Sequence, residues 1–375
     1  MSANRNLKLY FPNLNGLRFI AAFFVIINHT EQLKAFYHLG DGVISNFAKN
    51  IGKLGVMLFF VLSGFLITYL LITEERLFGL IHTKKFYIRR FLRILPLYTL
   101  LIILVFFILP SFCFWEIPSL KNPIDTSFTT IFLLHIFLIP NVATAVYGFI
   151  PYIAQAWSIG TEEQSYLMWP ILLKRFKKHR LLLMTGIVVF HFTVRILFSN
   201  KLSLPIPYRD IINKFWMHFN IDSIAIGSIF AILILNKNNI VKYILNTNFF
   251  YIIVFITMTF LIIGVKVPHF HYQFYSFLFG VIIVNLAVNS NLKNVLEWKA
   301  INYLGKISYG IYMYHFLVLI PVLMFVSSFK LDNNIIIYFL IFSITIVISS
   351  LSYHYFETFF LKIKAKFAFI KSGEI

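Results

Sequence analysis

The sequence predicts an all-α protein, a polytopic transmembrane helical bundle of about ten spanning helices with N- and C-termini cytoplasmic. Three observations carry that prediction. Of 375 residues, 59% are hydrophobic and 13% charged, whereas a soluble domain carries about 25% charged residues. Apolar runs long enough to cross a bilayer recur along the whole chain. Lys and Arg are divided between the segments that join those runs as the positive-inside rule requires of this orientation.

The runs fall at 14–33, 54–73, 94–111, 157–173, 181–198, 215–235, 249–266, 272–289, 308–328 and 335–358. One more, 129–140, is short and ends in Pro140-Asn141. If it does not span and the N-terminus is cytoplasmic, the inner segments hold 22 Lys and Arg, the outer segments 9, and Arg18 and Arg195 lie within spans. If it did span, the dense basic run 174–180 would face outward, against the rule. It is therefore read as a re-entrant or outer-surface segment. Around it, 112–156 is aromatic, Pro-rich and nearly uncharged, the composition of a lid or cavity wall.

Residues 1–375 read as one transmembrane domain with no appended soluble domain. The first run lacks a small-residue cleavage site and reads as a retained span. The 45 Phe and 20 Tyr residues suit lipid-facing surface and interfacial belts. The single cysteine, Cys113, allows no internal disulfide and disfavours a thiolate metal site. No His, Cys, Asp and Glu set has metal-ligand spacing, so no metal is expected. The net charge of +19 sits in membrane-flanking segments, which points to lipid headgroups and away from nucleic acid.

Chemistry concentrates in four stretches. In Asn15–Thr30, Arg18 and His29 share nearly one helical face and stand roughly 16 Å apart along the axis. Charged and titratable groups within a span are costly, which makes them candidate site residues; the alternative is a pair of polar groups tying helices together. In Lys84–Tyr98, Arg89, Arg90 and Arg93 precede a span. Arg90 and Arg93 are i, i+3 neighbours, a spacing that suits a bidentate grip on phosphates; the alternative is a basic collar on anionic lipid. Pro96 marks a kink or a helix start.

In Gln155–Pro170, Ser158 reads as an N-cap with Glu162 and Glu163 in the first turns, where the helix dipole favours carboxylates. Their place among Trp157, Tyr166 and Trp169 also suits a carboxylate that orients the imidazole of His29. In Gly305–Phe316, Tyr309, Tyr312 and His315 form a polar stripe that serves either packing or a site. Asp222 either pairs with Arg195 or lines a cavity, Glu357 is a further rare charge, and His135, His191 and His354 stand alone.

Taken together, these stretches resemble the integral-membrane acyltransferase family 3, bacterial O-acyltransferases that modify cell-surface polysaccharides. GLRFIAAFFVIINH (16–29) is similar to the family's Arg, ten residues, His motif. LFFVLSGFLI (58–67), with Ser63 and Gly64, resembles its second helix. RRFLRILPLY (89–98) resembles its Arg-x-x-Arg motif, WSIGTEEQSYLMWP (157–170) its Trp-Ser-Leu-x-x-Glu motif and ISYGIYMYHF (307–316) its late Tyr/His segment. Ile159 departs from the usual Leu, and Asn220 stands where an Arg is expected two residues before Asp222, which puts any role of that aspartate in doubt.

The resemblance implies ten helices in a bacterial inner (cytoplasmic) membrane and no permanently bound cofactor. Acetyl-CoA, or another acyl-CoA such as the succinyl ester, would be the donor substrate. The acceptor would be a hydroxyl of a cell-surface or lipid-linked glycan, with membrane lipids as the remaining partners. By match, His29 is the catalytic base with Glu162 and Arg18 as its catalytic companions, and Arg89, Arg90 and Arg93 bind coenzyme A. Ser63, Trp157, Tyr309 and His315 are the candidate substrate-binding residues. The rival readings are a transporter or flippase whose intramembrane charges line a path, and a catalytically silent structural subunit.

Overall fold

A computed structural model describes residues 7–40, 46–112, 116–198 and 207–372; Cys113 lies outside them. Among the described residues sixteen α-helices follow one another: α1 Leu14–Lys34, α2 Asn46–Phe78, α3 Thr83–Ile103, α4 Pro123–Ile136, α5 Pro140–Tyr147, α6 Ala156–Arg175, α7 Arg180–Leu197 and α8 Arg209–His218. The second half holds α9 Ile221–Leu235, α10 Ile240–Ile244, α11 Thr247–Ile263, α12 His271–Val288, α13 Lys299–Lys306, α14 Ser308–Ser328, α15 Asn334–Ser352 and α16 Thr358–Ala365. One short parallel pair, β1 Leu7–Leu9 against β2 Ile370–Ser372, brings the two ends of the chain together.

Among the described residues, seven helical stretches are long and apolar enough to cross a membrane: Phe47–Phe78, Thr83–Ser111, Arg180–Leu197, Arg209–Leu235, His271–Val288, Ser308–Ser328 and Asn334–Ala365. The other three expected spans are also helices. Of these, α11 is apolar but has 17 residues, while α1 and α6 are interrupted by Arg18 and by the Glu162-Glu163 pair. The run 129–140 is no single span. It passes from the 14-residue α4 to the 8-residue α5 through Leu138 at φ 60°. There α5 docks on α6, where Asn141 and Gln164 exchange side-chain hydrogen bonds of 3.1 and 3.0 Å.

Small residues set the helix spacing at the centre. Gly64 of α2 lies against the carbonyl of Ile224, and Gly227 of α9 against that of Val61. Apolar side chains gain little by leaving lipid for protein, so close backbone approach at small residues supplies the packing energy here. On its other flank α2 runs antiparallel to α1, with Gly52 beside Asn28 and Gly55 beside Ala21 and Val25. Large apolar side chains on the perimeter stay uncovered, such as Leu182, Phe255 and Phe339, 71%, 73% and 68% exposed, the surface lipid would cover.

The segment before α6 enters the bundle. Ile150, Tyr152, Ile153 and Gln155 are buried, and Gln155 Nε2 donates to the Met313 carbonyl at 2.8 Å. As a consequence α6 begins well inside the ends of its neighbours, and Ser158 is not its N-cap. That position is taken by Gln155, which makes no capping hydrogen bond through its side chain. Pro96 lies inside α3, which starts thirteen residues earlier at Thr83.

Asp222 and Arg195 also have neighbours within the bundle. Asp222 accepts from Gln273 Nε2 at 2.5 Å and faces His191 Nδ1 at 3.1 Å, all three buried. Asp222 therefore bonds to Gln273 and His191, and Arg195 instead lies over the ring of Tyr272 at 5.4 Å. His135 is spent on helix packing, its Nδ1 donating to the Ile131 carbonyl at 2.7 Å.

Candidate active site

A cavity of about 210 Å³ opens between α1, α2, α3, α6 and α14 at the end of the bundle where β1 and β2 pair. Its lining holds five cationic side chains, Arg18, Arg89, Arg90, Arg93 and Lys364, and one carboxylate, Glu162. Aromatic walls lead inward from this charged mouth to Phe59, Tyr309 and Tyr312. A surplus of cations with a single acid inside an apolar envelope makes the site attractive to anions and offers apolar surface beside them.

The three arginines of α3 divide their work. Arg89 is tied down, with Nη2 3.2 Å from Glu74 and Nη1 donating to the Phe367 carbonyl at 3.0 Å. Arg90 lies over the rings of Tyr166 and Phe86, at 4.9 and 5.5 Å. Stacking of this kind leaves the in-plane N–H groups pointing sideways for other partners. Arg93 lies one helical turn further along the same lining. Arg18 reaches the cavity from α1, where it donates to Asn15 Oδ1 at 3.0 Å.

Glu162 accepts from Ser63 Oγ at 2.5 Å, and Ser63 in turn accepts from Tyr166 at 3.1 Å. Glu163 points elsewhere, is 1% exposed and is not part of the lining. The register of α1 against α2 fixes the depth of this cluster. Ser63 lies eleven residues beyond Gly52, the neighbour of Asn28. It therefore stands level with Arg18, about 16 Å from the level of His29.

Glu162 and His29 are thus not partners, against the sequence expectation. The physical reason is the inward start of α6, which carries Glu162 past the depth of His29 to the level of the arginines. The partner of His29 is instead His315 of α14, with Nδ1 of His29 2.8 Å from Nε2 of His315. The two rings are 8° from parallel with centroids 5.1 Å apart, the nearly coplanar edge-to-edge arrangement that a bond between ring nitrogens requires, and both rest on Phe316. His315 was expected to bind substrate. Being 0% exposed, with Nδ1 2.6 Å from the Tyr312 carbonyl, it has no ring nitrogen left for one. Trp157 also lies outside the lining, packed on Phe60 and His218. Ser63 and Tyr309 do line the cavity, and Tyr309 donates to the Ile94 carbonyl at 2.9 Å.

The cavity stops at Tyr312 and Ser158, whose hydroxyls lie 2.7 Å apart. Beyond that wall the ring of Tyr312 is 5.8 Å from the ring of His315. The histidine pair thus stands directly behind the inner end of the cavity, and His29 keeps part of its surface open. Tyr166 and Lys364 line the cavity but are not among the site residues expected from the sequence. Tyr166 stands one turn after Glu162 in the same motif, so its spacing was a signal. Lys364 comes from α16, and nothing in the sequence joins the tail to α3.

The family profile described as "Acyltransferase domain" matches residues 11–354, and the chain belongs to this acyltransferase family of multi-pass membrane proteins. A Staphylococcus aureus (strain COL) protein carrying a provisional O-acetyltransferase name is 28% identical over 94% of this chain and 58% of its own length. The "O-acetyltransferase OatA" of Staphylococcus aureus (strain NCTC 8325 / PS 47) is 29% identical over 93% of this chain and 57% of its own. The "Peptidoglycan O-acetyltransferase OatA" of Listeria monocytogenes is 33% identical over 46% of this chain and 25% of its own. The chain spans a little over half the length of the first two. No solved structure matches it.

Proposed function

We propose that the chain is a membrane O-acyltransferase, with acetyl as the acyl group, that moves the group from cytoplasmic acyl-CoA to a hydroxyl of a cell-surface or lipid-linked glycan. The observation that carries this reading is a cavity whose mouth bears Arg90, Arg93 and Lys364 and whose inner end abuts the His315–His29 pair. The cations suit the phosphates of coenzyme A, each contact being charge-assisted, and the aromatic walls suit its apolar arm. The names of the relatives favour acetyl, and the Listeria relative makes peptidoglycan the first acceptor to test.

Coenzyme A is made inside the cell, so the cavity mouth, and with it both termini, belong on the cytoplasmic face of a bacterial inner membrane crossed ten times. The acceptor approaches the open side of His29 from the opposite face. His29 takes the hydroxyl proton as oxygen attacks the thioester carbonyl. The carbon–sulfur bond then breaks, and the proton passes to the departing thiolate. A variant route forms an acyl-His29 intermediate first. Arg18 and Glu162 serve the donor end, because their level is that of the arginines.

Two measurements test this. Detergent-purified protein should bind acetyl-CoA saturably, and surface glycans from cells with the gene should carry acetyl esters, seen by mass spectrometry, that vanish in His29→Ala. Absence of acetyl-CoA binding, or esters undiminished in His29→Ala, overturns it.

A further inference from the structure

We infer that His315 is a positioning residue that holds His29 in the tautomer with its proton on Nδ1, so that Nε2 of His29 is the atom that takes the acceptor's proton. The inference rests on the acyltransferase reading for its catalytic meaning, but the tautomer itself follows from three hydrogen-bonding groups in a row.

A backbone carbonyl can only accept. His315 Nδ1, 2.6 Å from the Tyr312 carbonyl, must therefore carry a hydrogen. A neutral imidazole has one N–H, so His315 Nε2 is left with a lone pair. That lone pair faces His29 Nδ1 at 2.8 Å, which must then be the donor. His29 is left with a bare Nε2, the form a general base needs. When Nε2 takes a proton, the Nδ1–H bond to His315 becomes charge-assisted and strengthens, which stabilises the imidazolium. His315 ends the cycle unchanged: the proton moves from the acceptor hydroxyl to His29 Nε2 and on to the coenzyme A thiolate.

Among the described residues, no carboxylate fills this office. Glu162 is bonded to Ser63 about 16 Å along the bundle from the level of His29, and Glu31, two residues from His29, is taken by Lys34 and Tyr338. The device also couples the histidine pair to the donor cavity. The residue whose carbonyl fixes His315 is the one whose side chain closes the inner end of the cavity.

The tautomer can be read without turnover. Protein labelled with ¹⁵N-histidine, compared with His29→Gln for assignment, should show His29 protonated at Nδ1 and pyridine-like at Nε2. In His315→Leu the fixed tautomer should be lost. For acetyl-CoA-dependent acetylation of peptidoglycan fragments, His315→Leu should lower kcat about 100-fold with the acetyl-CoA KM unchanged. His315→Gln, whose side-chain carbonyl can accept the same Nδ1–H, should recover most of it. A proton found on His29 Nε2, or a His315→Leu enzyme with wild-type kcat, overturns the inference. Failure of the wild-type protein to bind acetyl-CoA would instead overturn the acyltransferase reading and leave the tautomer result standing.

Discussion

The hydroxyl of Ser63 donates to Glu162 across 2.5 Å and so joins α2 to α6 at the level of the arginines. The bond satisfies a carboxylate held against apolar walls, and hydrogen bonds to charged groups contribute about 1.5–3 kcal/mol. Because Glu162 also borders the cavity, the lower half of that range applies. Ser63→Ala should lower the melting temperature in detergent, followed by tryptophan fluorescence, while Ser63→Thr should restore it in part. An unshifted melt for Ser63→Ala would show that the bond does not hold the helices together.

Gly64 and Gly227 form a close helix contact, where a Cβ added to either would meet a backbone carbonyl of the other helix. A methyl at Gly64 would press on the Ile224 carbonyl, which is backbone and cannot swing aside. Gly64→Ala should therefore force α2 and α9 apart and cut the yield of monodisperse protein on size-exclusion chromatography several-fold. Gly186→Ala, where an added Cβ meets open space, should leave the yield unchanged. Equal yields for both variants would refute the close-packing account.

Much of the bundle was legible because the period and length of an apolar run are local properties. Each of the ten expected runs is helical over most of its length, and the short run ending at Pro140 is divided between α4 and α5. Registers were not legible. Nothing between Gln155 and Pro170 says that the segment before it dives into the bundle, so Glu162 was placed beside His29 when it belongs beside Ser63. The same blindness to long-range neighbours hides Lys364 from the arginine group and leaves Asp222 between pairing with Arg195 and lining a cavity, when it accepts from Gln273 and faces His191. Residue types forecast the chemistry of the site, and the packing decides which of them meet.

The membrane orientation expected from the distribution of Lys and Arg has its own test. In a Cys113→Ser background, Lys178→Cys, exposed at the end of α6, should react with an impermeant thiol reagent only after the membrane is opened. His269→Cys, exposed before α12, should react from outside intact cells. Reaction of Lys178→Cys in intact cells would reverse the orientation and move the cationic cavity mouth to the wrong face for coenzyme A.

The different partners of the three arginines predict that donor binding and structural support can be separated. Arg90 is held by aromatic faces and keeps its in-plane donors, so Arg90→Ala and Arg93→Ala should each raise the acetyl-CoA KM about tenfold, the effect of losing roughly 1.4 kcal/mol. Arg89 is bonded to Glu74 and to the tail at Phe367. Arg89→Ala leaves the buried Glu74 with only His82 as partner, so it should lower the melting temperature more than either of the others while changing the acetyl-CoA KM less. Raising the salt concentration should weaken acetyl-CoA binding in the wild type and do so less in Arg90→Ala, because one screened cation is gone. If all three variants shift KM equally with unchanged melts, Arg89 contacts the donor directly and its bond to Glu74 has no structural weight.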